Sequence, residues 1–302
     1  MRVVFCGSPD FALPSLVAVS KAYDVVGVFT QPDRVMGKRV TVPVVKQKAL
    51  ELGLPVYQFD SISKEGFETL SSLSPDVIIT CAFGQFLRRN VLDLAPYGVI
   101  NVHASILPLY RGAAPIQSAI LNGDKETGVS IMRTVYEMDA GDVILCKKTD
   151  IDEDETAGEL FDRLSLIGAD ALMEALALIE NGTATFTPQE GDKATFCKKF
   201  DKEAGKADFS LPAEVIKNQI RAFNPWPTLY AYLPDGNIFK IYSATVVEGK
   251  GEIGEVIDDE KGLVVACGEK ALKLNVVQAG GGKRMSAEDY VNAHKMKGVI
   301  LK

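Results

Sequence analysis

Histidine is scarce in this chain. There are two, His103 and His294, beside one tryptophan and five cysteines. The cysteines, Cys6, Cys81, Cys146, Cys197 and Cys267, are odd in number, far apart and set mostly in apolar runs. No close Cys/His spacing marks a zinc site, so buried reduced thiols and no metal are expected. No apolar run approaches the roughly 18–20 residues of a membrane helix, so no membrane partner is expected. The opening MRVVFCGSPD runs directly into a strand-like segment, without the charged–apolar–small pattern of a signal peptide or an Arg/Ser-rich transit segment. A cytoplasmic protein of the bacterial type is expected. The first strand is not followed by G-x-G-x-x-G, so a dinucleotide site is not supported. Internal repeats and low-complexity tracts are also missing.

Excess positive charge is lacking too. The formal net charge is −7, which argues against a phosphate-rich partner. The balance is uneven, however. Residues 196–302 carry 16 basic and 14 acidic side chains, and residues 1–195 carry 17 and 26. The C-terminal part can therefore face an RNA that the whole-chain charge would repel.

What is present is a 302-residue chain, 47% apolar and 24% charged, long enough for two globular domains. β-Branched apolar runs at Val3–Cys6, Val25–Thr30, Val77–Cys81 and Gly98–Val102 alternate with helix-like stretches at Phe11–Lys21, Val44–Leu52, Glu65–Leu73 and Leu87–Leu92. That alternation predicts an α/β fold: a Rossmann-like, mostly parallel sheet with helices on both faces. Strand-like runs follow at Gly128–Thr134 and Asp142–Asp150. A long helix is predicted from Thr156, with Thr156 and Glu159 as a capping box and Leu160, Leu164, Ile167, Leu172 and Leu176 along one face. The polar, Gly-containing stretch Thr187–Lys206 reads as a linker. Ser210 is placed to cap a helix running to Ala222. Five short strand-like runs then follow, Leu229–Leu233, Ile238–Ala244, Gly254–Ile257, Gly262–Cys267 and Leu272–Gln278, and they suggest a small β-barrel. The expected division is 1–189 catalytic, 190–207 linker and 208–302 a smaller C-terminal barrel domain.

One segment carries chemistry: Asn101-Val-His103-Ala-Ser105-Ile106-Leu107-Pro108-Leu-Tyr-Arg111-Gly112-Ala-Ala-Pro115. It starts at the carboxyl end of a predicted strand, the edge where open α/β sheets bind ligands. Asn101 and His103 lie two apart and so face the same side of a strand. An amide donor beside an imidazole can polarise a carbonyl and move a proton. Downstream, Met138-Asp139-Ala-Gly141-Asp142 sets a carboxylate in a tight turn before another strand. A His and an Asp on neighbouring strand ends can meet as an acid/base pair.

The run NVHASILPLYRGAAPIQ, with the Asp-x-Gly-Asp turn some thirty residues on, resembles the signature of the folate-dependent formyltransferases. The resemblance implies that Asn101, His103 and Asp139 are catalytic and that Ser105, Ile106, Leu107 and Pro108 contact the folate. Further motifs resemble the tRNA-directed branch of that family. They are the opening Phe5–Ala12; Gln31–Arg34 with Gly37-Lys38-Arg39 and Pro43-Val44, a shortened form of a loop that approaches the tRNA acceptor end; Arg221–Pro227; and Gly282–Ser286. The implied second domain is an OB-type barrel, and the implied RNA contacts are Arg34, Lys38, Arg39, Lys283 and Arg284. The implied donor is 10-formyltetrahydrofolate, and the implied partner is initiator methionyl-tRNA, bound by a monomer. Other folate-using enzymes of this superfamily, such as formyl-sugar transferases and formyltetrahydrofolate hydrolases, keep the same three residues without needing an RNA surface. A non-catalytic RNA-binding protein would have no need of that trio.

Overall fold

The computed structural model describes every residue except Lys38, and the side chains of Val35, Met36 and Arg39 also fall outside the described set. The chain divides into two compact units. The first comprises 1–115, 126–150 and 161–197, and the second 116–125, 151–160 and 198–302.

In chain order the first elements are β1 (Arg2–Gly7), α1 (Leu13–Ala22), β2 (Asp24–Thr30), β3 (Arg34–Met36), β4 (Arg39–Thr41), α2 (Val44–Glu51) and β5 (Val56–Gln58). There follow α3 (Phe67–Ser72), β6 (Val77–Cys81), α4 (Arg89–Leu92), β7 (Val99–His103), β8 (Arg111–Gly112), α5 (Pro115–Leu121), β9 (Glu126–Arg133), β10 (Val143–Asp150), α6 (Ala157–Glu180) and β11 (Phe196–Cys197). The main sheet has the order β10-β9-β7-β6-β1-β2-β5. β5, β2, β1, β6 and β7 run parallel, and β9 and β10 are antiparallel additions at one edge. The predicted mostly parallel sheet is thus observed. Its apolar strands are buried throughout β6 and nearly so in β1, as a sheet covered on both faces requires.

The capping box forms as the Thr-Ala-Gly-Glu spacing predicts. Glu159 Oε2 accepts from Thr156 N at 2.9 Å, and Thr156 Oγ1 accepts from Glu159 N at 3.3 Å. These two bonds satisfy backbone groups that the first turn of α6 leaves unpaired. Leu160, Leu164, Leu172 and Leu176 are fully buried along its length.

Two local readings change. Residues 31–43 are more than an irregular loop, because β3 and β4 pair antiparallel about Gly37. The stretch read as a linker is also not free. Thr187 pairs with Val143, and β11 runs parallel to β8, so 187–197 are tied to the segment carrying the chemistry. Periodicity cannot reveal two-residue strands whose partner is some 85 positions away.

The second unit continues with α7 (Ala213–Ala222), β12 (Leu229–Tyr232), β13 (Ile238–Val247), β14 (Val256–Asp258), β15 (Leu263–Ala266), β16 (Ala271–Ala279), β17 (Met285–Ser286) and α8 (Ala287–Ala293). α7 starts after Pro212, and Ser210 does not cap it. The Ser210 hydroxyl instead donates to Asp208 Oδ1 at 2.6 Å in a local turn. The antiparallel sheet β12-β13-β16-β15-β14 curls around Phe239, Ile241, Leu263, Val265 and Leu272, with α7 and α8 against it. The C-terminal backbone closes it. Val256 N donates to Val299 O and Leu301 N to Gly254 O, while Tyr232 and Lys302 exchange both backbone bonds. Both edge strands are thereby paired, which removes the exposed edges an open sheet would present.

All five cysteines are free thiols. Burial pushes the Cys81 thiol up to about 12 and that of Cys267 to about 11, as for inert core thiols.

Candidate active site

The site is built within the first unit, at the carboxyl ends of the parallel strands. β7 supplies Asn101 and His103 on one face. The Thr80 hydroxyl on neighbouring β6 donates to Asn101 Oδ1 at 2.8 Å. With its oxygen engaged, the Asn101 amide keeps its NH2 as the group available to an incoming oxygen. Thr80 is a partner of Asn101 that sequence reading missed. It sits inside an apolar run and looks like ordinary strand filling.

His103 is buried, and its Nε2 lies 3.0 Å from the Tyr110 carbonyl. A carbonyl can only accept, so Nε2 carries the hydrogen and the neutral ring has its lone pair on Nδ1. Asp139 Oδ2 stands 3.8 Å from that Nδ1. The distance exceeds a hydrogen bond, so the carboxylate acts on the ring mainly once Nδ1 is protonated. The same Oδ2 accepts from the Gly112 backbone N–H at 2.8 Å. Asn101, His103 and Asp139 are thus brought together as the sequence reading required.

The turn that offers Gly112 N–H demands a glycine. Gly112 has φ +125°, and a Cβ there would meet the Cys197 carbonyl oxygen at 2.1 Å. Cys197 Sγ in turn lies 3.4 Å from the Tyr110 carbonyl that holds His103.

The run Ser105–Pro108, expected to contact the folate, is split by burial. Ser105 is fully buried and its hydroxyl donates to the Leu109 carbonyl at 2.6 Å. Leu107 is buried as well, and its N–H donates to Ser130 Oγ, which donates to the Ser105 carbonyl. These two side chains shape the loop, whereas Ile106 and Pro108 remain partly accessible. Nearby on the same unit, Phe86 and Tyr136 meet edge to face at 5.2 Å and are 61% and 50% exposed. Tyr136 belongs to the turn that carries Asp139, and the Arg89 guanidinium lies 5.8 Å from its ring centre. Nothing in their spacing marks these aromatics, which are 50 positions apart.

The root of the 31–43 segment is anchored by a polar network. Lys46 Nζ donates to Asp33 Oδ2 and Gln58 Oε1, both at 2.7 Å, and Gln58 Nε2 donates to Asp33 Oδ1 at 2.9 Å. These bonds, Lys46 first, hold the Asp33 carboxyl below the usual carboxylate range. Gln31 Nε2 donates to the Phe83 carbonyl at 3.0 Å, joining this root to the loop after β6. Of the basic residues expected to meet RNA, Arg34 is exposed at the start of β3. Lys38 lies outside the described residues, as does the Arg39 side chain. Lys283 and Arg284 belong to the second unit. Lys283 is exposed, and the Arg284 guanidinium stacks 4.2 Å over the Tyr242 ring, beside a cavity of about 220 Å³ that also meets Arg221 and Lys217. Among the described residues no group of three or more His, Cys, Asp or Glu is arranged to hold a metal ion, and no helix is long and apolar enough to cross a membrane.

A sheet of this order with Asn, His and Asp converging at its carboxyl edge defines a class, and comparison with known proteins agrees on which. The model of the formyl transferase family matches residues 1–176, and that of the formyl transferase C-terminal domain matches 199–295. The methionyl-tRNA formyltransferase of Macrococcus caseolyticus is 42% identical over 305 residues, covering 100% of this chain and 98% of that protein. The methionyl-tRNA formyltransferase of Bacillus licheniformis is 45% identical over 298 residues, covering 96% and 94%. The chain belongs to the formyl transferase family, in its methionyl-tRNA formyltransferase branch.

Solved structures share the fold at lower identity. The N-formyltransferase from Helicobacter canadensis, in complex with folinic acid and dTDP-3-aminofucose, superposes with a TM-score of 0.68 at 20% identity, over 91% of this chain and 99% of that one. HypX from Aquifex aeolicus, in complex with tetrahydrofolic acid, gives 0.65 at 16% identity, over 99% of this chain and 48% of that one.

Proposed function

We propose that this chain transfers the formyl group of 10-formyltetrahydrofolate to the α-amino group of methionine on initiator methionyl-tRNA, acting as a monomer in the cytoplasm. The observation that carries the mechanism is the pair of bonds that orient Asn101 and His103, from Thr80 and to Tyr110. The donor supplies a formyl group on an aryl amine, already activated for transfer. As the methionine amine attacks, negative charge grows on the formyl oxygen, and the Asn101 NH2 donates to it. The attacking nitrogen becomes acidic and gives its proton to His103 Nδ1, the ring nitrogen left with a lone pair. The imidazolium so formed is balanced by Asp139 Oδ2 at 3.8 Å. The same proton then passes to the departing folate nitrogen, so the ring ends as it began.

The exposed faces and edges of Phe86 and Tyr136, with Ile106 and Pro108 beside the catalytic strand, suit a flat aromatic donor. Arg34, Lys38 and Arg39 on one unit, and Lys283 and Arg284 on the other, are the basic residues assigned to the tRNA.

The test is formylation of purified initiator methionyl-tRNA with 10-formyltetrahydrofolate, read by mass spectrometry, with a 3-amino sugar nucleotide as competing acceptor. Formyl-methionyl-tRNA is expected, and Asn101→Ala, His103→Ala and Asp139→Ala should each lower turnover by about 10²–10³, the scale of losing an oxyanion donor, a general base or the carboxylate that supports that base. Formyl transfer to the sugar alone, or release of formate alone, overturns the reading. A variant with wild-type turnover removes that residue from the mechanism.

A further inference from the structure

Asp139 is held in a backbone conformation that is uncommon for residues other than glycine, though Asp adopts it more readily than most. Its φ is +48°, in the left-handed region. Such a conformation persists only when neighbouring groups enforce it. One group that braces this turn is Gln189, in the segment between α6 and β11. Its Nε2 donates to the Asp139 carbonyl at 2.8 Å and to the Gly141 carbonyl at 2.7 Å, gripping the turn on both sides of Ala140. Its Oε1 accepts from Arg111 Nε at 3.0 Å and Nη2 at 2.7 Å. Arg111 is itself buried, and its backbone N–H donates to the Thr195 carbonyl. The backbone bonds between Thr187 and Val143, both 2.9 Å, fix the approach of Gln189.

We propose that Gln189 is a positioning residue for formyl transfer. In this role it holds the Asp139 turn so that the carboxylate stands at His103 Nδ1, with Arg111 as the post to which it is tied. The proposal rests on the role given to Asp139 above. The chemistry selects glutamine. The position must accept two N–H bonds from a guanidinium and donate two to carbonyls, and a primary amide does both at once. Glutamate satisfies Arg111 but turns an oxygen toward two carbonyl oxygens. Lysine or arginine would donate to the carbonyls but oppose Arg111. Asparagine is one methylene short. The two residues of β8 thus serve one carboxylate: Gly112 binds its Oδ2 directly, and Arg111 reaches its main chain through Gln189.

The test is a double-mutant cycle between Gln189→Glu and Asp139→Ala. Single-turnover formyl transfer is measured for both single variants and the double, and KM for donor and acceptor is measured for Gln189→Glu. Gln189→Glu should lower kcat by roughly 10–100-fold, the scale of a misplaced catalytic group, with both KM values within about threefold of wild type. In the Asp139→Ala background it should change the rate by less than about twofold, because the group it positions is gone. Gln189→Met, of similar length and without polar atoms, carries the same expectations if the glutamate variant does not fold. Wild-type kcat for a folded Gln189 variant, with Asp139→Ala inactive, overturns the positioning role while leaving the reaction intact. A Gln189 effect that persists in full without Asp139 also overturns it. Wild-type turnover in Asp139→Ala would instead remove the reading on which the proposal rests.

Discussion

The backbone N–H of Gly112 donates to Asp139 Oδ2 at 2.8 Å, and the oxygen it grips is the one that faces His103. β7 therefore delivers the imidazole, and the short segment between β7 and α5 delivers the clamp on its counter-charge. Gly112→Ala should break this arrangement. The new methyl would sit 2.1 Å from the Cys197 carbonyl at a φ that side chains avoid. Strain of that kind costs on the order of 1–3 kcal/mol, and relieving it requires β8 and β11 to part. Urea unfolding should show a lower midpoint, and turnover should fall further than the stability loss accounts for. An unchanged midpoint and rate would show that the approach is looser than described.

Thr80→Val preserves shape and removes the bond to Asn101 Oδ1. The amide then loses the partner that orients it. Turnover should fall roughly tenfold, the rate equivalent of one hydrogen bond of about 1.4 kcal/mol. KM for either substrate should change little, since neither reactant has lost a contact. Full activity in this variant would mean that Asn101 is oriented by something else.

Asp259 links acid stability to closure of the barrel. Its Oδ2 accepts from Met296 N at 2.9 Å and Lys297 N at 3.2 Å, just ahead of the backbone that pairs with β14 and β12. The Met296 bond, then that of Lys297, holds the Asp259 carboxyl below the usual carboxylate range. A carboxylate depressed on folding stabilises at pH values above its unfolded pKa of about 3.9, and that stability is lost as pH falls through the folded value. Asp259→Asn should therefore lower the thermal midpoint at pH 7 and narrow its difference from wild type as the pH is taken from 5 toward 2. Parallel pH profiles for the two proteins would sever the link.

Lys38→Gln combined with Arg39→Gln should weaken binding of methionyl-tRNA and reduce the slope of log K against log salt by about 1.4–1.8, for two phosphate contacts. Slow hydrolysis of the formyl donor by the enzyme alone should persist, because Asn101, His103 and Asp139 are untouched. Lys46→Met, which frees the Asp33 anchor at the root of the same hairpin, should raise KM for the tRNA and leave donor hydrolysis alone. Equal loss of both activities would point to misfolding, and loss of neither would leave the hairpin without a role.

Much of the fold was legible in the sequence for identifiable reasons. The buried strands β1, β2, β6 and β7 are continuous apolar runs, and α6 announces itself with Thr156, Glu159 and a leucine stripe. Each of these signals is local. Asn101 and His103 were legible as a pair because strand alternation places them on one face. Ser210 misled because a serine before a helix can bond within its own turn, as it does with Asp208.

The sequence by itself determined which elements form and which residue types can carry the chemistry, because both follow from neighbours within a few positions. Only the tertiary structure decided how those residues are held. Thr80 reaches Asn101 across 21 positions, Gly112 reaches Asp139 across 27, and Gln189 reaches Asp139 across 50. None of these bonds has a periodicity or a spacing. Each exists because the strand order brings β6 beside β7, and because β11 lies against β8. The tautomer of His103 was settled in the same way, by a carbonyl seven residues along that only the turn through Tyr110 directs back at the ring.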